Sequence, residues 1–323
     1  MTPFKLVAGL ALALAAAGAS AQQYPTKPVT SVVPFAAGGP TDTVARSVGQ
    51  AMEKALGGTV IVENKPGAGG TVGVADVARA QPDGYRILVH HIGMATAPAL
   101  YRKLPFDPLK DLEYVGLIND VPMTLLVRST LPVNNVKELA AYARQNRDKT
   151  TLANAGLGAA SHLCGLLFQQ SIETDLTTVP YKGTAPAITD LIGGQVDILC
   201  DQTTNTTEQI RAGKVKALAL TAPKRLESLK DLPTAAEAGL PGFELSIWHA
   251  MYAPKGTPKP VVDKLVASLQ AALKDAALQK RFADLGSTVV SPDKQTPEAL
   301  GRHLKAEIDK WMPIIKKAGV YAD

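Results

Sequence analysis

Apolar residues along the chain switch between two periods. Residues 29–34 form a short β-branched run of strand character, closed by the turn Ala36-Ala37-Gly38-Gly39-Pro40. Beyond it Val44, Ala45, Val48, Met52 and Leu56 recur at helical spacing, with Thr41 or Asp42 placed to cap that helix. A second strand is predicted over residues 59–63, a loop over 64–70, a helix ending near Ala80, and a third strand over 86–90. This βαβαβ order is the unit of a mostly parallel, doubly wound sheet.

A second series follows. Strands are predicted over residues 124–127, 152–155, 177–179, 196–199 and 215–222, and helices over 136–145, 161–170, 185–192 and 207–212. Residues 223–256 are rich in Pro and Gly and read as a crossing segment, with a strand over 243–252 that would return the chain to the first series. The C-terminal part holds amphipathic helical runs over 261–273, 276–285 and 297–318. The expected class is therefore α/β with two lobes and a cleft between them. Residues 22–122 and 248–323 would form a discontinuous first lobe, and 123–247 an inserted second one.

The first residues break this pattern. Residues 1–21 carry one charge, Lys5, then an Ala/Leu run from 6 to 17, then Ala19-Ser20-Ala21. That is a secretory signal cleaved after Ala21, and Gln22 in place of Cys leaves no lipid-anchor site. Cleavage leaves 302 residues of net charge +4. The Lys and Arg residues are spread along the chain rather than gathered in a stripe, so nucleic-acid binding is not expected. Cys164 and Cys200 are an even pair that an oxidising compartment could bridge; two buried thiols are the other reading.

Candidate chemistry sits where glycine loops meet helix starts, since the first-turn N–H groups and positive end of a helix favour an anion. One such place holds Phe35, Ala36, Gly38, Gly39, Pro40, Thr41 and Asp42. The other holds Ala155, Gly156, Gly158, Ala159 and Ser161. A tight βα turn would also explain either glycine loop taken alone. His91 ends a strand and could reach a ligand. Asp201 opens a polar run after a predicted strand, as an acceptor for a ligand cation or as a helix cap. Trp248 and Phe35 could wall the ligand or simply pack in the core. No GxxxxGK[ST], GxGxxG, GxSxG or HExxH pattern occurs, so neither nucleotide, serine-hydrolase nor metal chemistry is expected.

Taken together, these residues resemble one family. The segments are residues 24–28 (YPTKP), 33–42 (VPFAAGGPTD), 62–70 (VENKPGAGG), 82–85 (PDGY), 156–163 (GLGAASHL), 180–183 (PYKG) and 193–197 (GGQVD). They are similar to the Bug receptors, the extracytoplasmic TctC-type solute-binding component of tripartite tricarboxylate transporters. The resemblance implies a Venus-flytrap fold that closes on one organic acid, gripped by backbone amides and water from the two glycine loops. It further implies a periplasmic monomer with no cofactor and no catalysis, which passes a mono- or dicarboxylate, an aromatic or amino acid among them, to membrane transporter subunits. The position of His91 is commonly small and polar in that family. An accessory sensor for a two-component kinase and a periplasmic enzyme using His91 or His162 with Asp201 are the rival readings.

Overall fold

The computed structural model describes residues 24–319, 321 and 322; the expected signal segment lies outside the described residues. Strand β1 (Val29–Val33) pairs in parallel with β2 (Val60–Asn64) and β3 (Arg86–His91), and its Val residues are fully buried, as a strand covered on both faces requires. Helix α1 (Pro40–Leu56) links β1 to β2. A short turn at Ala68–Gly70 and α2 (Thr71–Ala78) link β2 to β3. After β3 comes α3 (Gly93–Leu100), which the apolar pattern did not single out because it is buried nearly all round.

The longest strand among the described residues was largely invisible in the sequence. Strand β4 spans Leu112–Arg128, whereas only residues 124–127 were expected. Register shifts at Tyr114/Gly116 and Leu117/Asn119 interrupt its alternation, and Pro122 falls inside it. Over residues 112–122 it runs antiparallel to β9 (Ser246–Pro254); from Met123 onward its partners are β7 (Ile198–Gln202) and β8 (Val215–Leu220). β9 in turn lies antiparallel to β3.

The second series contributes α4 (Val136–Gln145), β5 (Thr151–Asn154), α5 (Ala160–Ser171), β6 (Thr177–Pro180), α6 (Thr184–Ile192) and α7 (Thr203–Arg211). β5 is parallel to β6 and to β7, so this half repeats the layout of the first. Two expectations shift here. The strand thought to end at Leu199 continues through Gln202, and α7 starts at Thr203 rather than Thr207, because the polar residues 200–202 pair with Met123–Leu125 of β4. The C-terminal helices α8 (Lys259–Leu273), α9 (Ala276–Asp284) and α10 (Pro297–Ala318), with the short β10 (Thr288–Val289), return to the first series. There α8 packs on α1, and α10 packs on α3 and β4.

Cys164 of α5 and Cys200 of β7 form a disulfide with a Cα separation of 6.0 Å, both sulfurs in the core. It ties the second glycine loop's helix to the strand that carries Asp201.

Candidate functional site

Between the two halves lies a narrow pocket with a free volume of only about 10 Å³. One side is Phe35, Gly39, Pro40, Thr41 and His91; the other is Ala155, Ala160, Ser161, Thr184, Asp201 and Gln202. Among the described residues, no Lys or Arg lines it. What faces the space instead is a set of helix starts: α1, α5 and α6 begin at Pro40, Ala160 and Thr184, and Gln202 is the residue before α7. None of the four has a side-chain cap. Their first-turn N–H groups lack a partner within their own helix and carry the positive end of its dipole. An anion placed there would be held by backbone.

The first loop is shaped from behind. Gly38 has φ +81, in the left-handed region that favours glycine, and its N–H donates to Asp42 Oδ2 at 2.9 Å. Arg46 Nε donates to the same oxygen, and Asn64 Nδ2 to Oδ1 and to the Phe35 carbonyl. Burial opposes ionisation of Asp42, but these donors prevail and hold its carboxyl below the usual range. Asp42 thus braces the loop and is absent from the pocket wall.

The second loop is braced likewise. Ala155 N–H donates to Ser161 Oγ, Gly156 N–H to Asn154 Oδ1, Gly158 N–H to His162 Nδ1 and Ala159 N–H to the Gly156 carbonyl. The amides of Gly156 and Gly158 are therefore engaged already, and the donors left in this loop are those of the first turn of α5. The two glycines serve approach instead, with φ +99 and +84. A Cβ on Gly156 would meet Gly69 N at 3.2 Å, and the Gly158 carbonyl accepts from Thr96 Oγ1 at 2.8 Å. Ala36 N–H to the Lys182 carbonyl, Tyr101 hydroxyl to the Leu157 carbonyl and Thr203 Oγ1 to the Gly286 carbonyl also cross between the halves. The structure is that of a closed cleft.

Under the first loop lie three buried histidines. His91 stacks on Phe35, ring centroids 4.7 Å apart, and its Nδ1 accepts from Gly93 N–H at 3.0 Å. Burial pushes His91 down to about 3, and burial likewise holds His90 and His249 well below the ordinary value. His162, in the other half, is pushed down to about 4 by burial. Burial thus favours the neutral form of all four rings.

Asp201 is 1% exposed; burial raises its carboxyl to about 6, against hydrogen bonds from Asn205 and the Gln202 N–H. Two lining residues were missed in the sequence. Thr184 lies against the Asp201 carboxyl and its hydroxyl helps to hold it, whereas Gln202 Oε1 is buried there without a hydrogen-bond partner, and an orphaned polar atom facing a cavity is what a bound solute would satisfy. Thr184 sits just after Gly183, in a segment already noted at residues 180–183. Trp248, expected as an apolar wall, points elsewhere: its indole N–H donates to Glu307 of α10, and its ring packs edge-on against His303. Strand alternation is the reason, since its neighbour His249 faces Thr41.

The model of the tripartite tricarboxylate transporter family receptor matches residues 44–320. The periplasmic binding protein BugD is 57% identical, with a TM-score of 0.90 over 92% of this chain and 99% of its own. MatC of Rhodopseudomonas palustris, solved with bound malate, is 42% identical, with a TM-score of 0.87 over 90% of this chain and all of its own. A UPF0065 protein of Agrobacterium vitis is 52% identical over 296 residues, covering 92% of this chain and 86% of that one.

Proposed function

The chain belongs to the tripartite tricarboxylate transporter receptor family, and on that premise we propose that it is a periplasmic receptor for a small dicarboxylate, which it hands to membrane transporter subunits. The observation that carries the reading is the convergence of four uncapped helix starts on one pocket that, among the described residues, no Lys or Arg lines. Such a site recognises carboxylate oxygens by aligned N–H groups and dipoles. Malate, a small dicarboxylate, is the acid held by the related MatC.

On this reading the ligand touches Phe35, Gly39, Pro40, Thr41 and His91 from one lobe and Ala155, Ser161, Thr184, Asp201 and Gln202 from the other. Ala36, Gly38, Asp42, Gly156, Gly158 and Ala159 shape the loops. The lobes divide at residues 22–122 with 248–323 against 123–247, a division supported by the change of β4 partners between Pro122 and Met123. Export follows cleavage after Ala21, and the receptor acts as a monomer.

Titration of ligand-free protein with L-malate by isothermal calorimetry tests this. Saturable one-to-one binding, with malate recovered unchanged, is the expected result. Failure of malate and of a panel of C3–C6 mono- and dicarboxylates to bind would overturn it.

A further inference from the structure

We propose that Thr41 selects ligands carrying a hydrogen-bond donor on the carbon beside the carboxylate, its hydroxyl held as an acceptor by a relay through His249, Asn119 and Ser287. The inference rests on the carboxylate-receptor reading and adds to it which acid is preferred.

The relay follows from counting protons. Ser287 has one, and its Oγ donates to the Asp120 carbonyl at 3.2 Å. Towards Asn119 it can then only accept, so Asn119 presents Nδ2 to it, at 2.8 Å. That orients the amide and leaves Oδ1 facing His249 Nδ1 at 3.0 Å. Since an amide oxygen only accepts, Nδ1 carries the ring proton. His249 is completely buried and neutral, so Nε2 bears a lone pair and no hydrogen. The Thr41 hydroxyl, 3.3 Å away, must donate to it.

With its proton committed inward, Thr41 can offer only oxygen lone pairs to the pocket it lines. Beside it, His91 accepts at Nδ1 from Gly93 and so carries its own proton on Nε2. The wall therefore joins an acceptor to a donor. A hydroxyl or ammonium next to a carboxylate matches that pair, and a methylene in its place leaves the Thr41 oxygen unsatisfied. Discrimination by a missing partner is the sharper kind.

Succinate, L-malate and L-aspartate share one carbon skeleton and differ at C2 by hydrogen, hydroxyl and ammonium. Calorimetric titration of the ligand-free full chain should give malate or aspartate a Kd at least about ten-fold below that of succinate, equivalent to about 1.4 kcal/mol. Comparing malate with aspartate tells which donor is taken. In Thr41→Val the preference should shrink to about two-fold, whatever happens to the succinate Kd itself. Asn119→Leu, which leaves the pocket wall intact but frees the relay, should lower the same ratio; general damage would weaken all three acids alike. Equal binding of the three acids by the natural protein, or a preference that survives Thr41→Val, overturns the role of Thr41 alone. If none of the three binds, the receptor reading for this size of acid fails and the proposal falls with it.

Discussion

Two helix starts in this molecule are built alike and finished differently. α1 and α10 both begin with proline, Pro40 and Pro297, after a residue in extended conformation. Before α10, Thr296 Oγ1 accepts from Ala299 N–H at 3.1 Å and closes the end. Before α1 stands Gly39, which has nothing to close it with. α4 and α9, remote from the pocket, are also closed, by Asn135 and Asp275. A missing cap alone marks no site, since α2, α3 and α8 lack one too. What is particular to the cleft is that four open starts share one space. On the proposed reading, stability that a cap would contribute, about 1 kcal/mol each, is forgone so that the amides remain free for a solute.

Closing the open start should separate binding from folding. Gly39 has φ −84, which any residue adopts, and a Cβ there would meet nothing nearer than the Ala36 carbonyl at 3.5 Å. Gly39→Asp would cap α1 with its own carboxylate and oppose the ligand's charge. Malate affinity is expected to fall at least about a thousand-fold, or about 4 kcal/mol, while chemical denaturation shows stability within about 1 kcal/mol of the natural protein. Comparable loss of both would show that the glycine is there for the turn.

The disulfide comes next in size. It holds the open start of α5 against β7 across a sequence separation of 36. The Cys164→Ala, Cys200→Ala double variant should lose about 3 kcal/mol in denaturant unfolding. Its binding should suffer less than that of Gly39→Asp, because the closed cleft keeps its own cross-lobe hydrogen bonds.

Much of this arrangement could be read from residue order, and the failures have physical causes. Val44, Val48 and Met52 announced α1, and the turn before it located Phe35, Gly39, Pro40 and Thr41 at one pocket. Thr184 and Gln202 escaped because a helix start is recognised by its cap, and theirs have none. β4 escaped because two register shifts scramble its alternation. Trp248 was misassigned because a strand's period says which residues share a face, not which face looks into the cleft. Asp42, Gly156 and Gly158 lie at the expected loops, but their polar groups are already engaged within the protein.

The pocket floor responds to acid in a direction that its burial sets. His91 and His162 ordinarily titrate near 6.5 and are pushed down to about 3 and about 4. Their stabilisation is fully present above 6.5 and is lost as pH falls through that value towards their folded values. Asp201 acts oppositely: raised to about 6, it favours folding most below the ordinary carboxylate range and loses that contribution as pH rises through 6. At pH 5.5 the two histidines lose about 1.4 kcal/mol each and Asp201 returns a little under 1, so stability falls by at least about 2 kcal/mol from pH 7.5. His90 and His249 add to the fall. Denaturant unfolding at the two pH values measures it; equal stability at both would mean these rings are not buried as neutral groups.

The smallest effect is the mirror of the first. Thr296→Ala removes the cap of α10 and leaves the Ala299 amide without its side-chain acceptor, at a cost of about 1 kcal/mol. In a chain of this length that corresponds to a fall of about 2 °C in melting temperature. α10 packs on α3 and β4 and contributes no residue to the pocket wall. Malate affinity should therefore remain within about two-fold, as calorimetry would read it. Set beside Gly39→Asp, the variant reverses the pattern: stability moves and binding does not. If its affinity fell along with its melting temperature, closure would depend on the rigidity of α10, and capped and open ends could no longer be treated as separate devices.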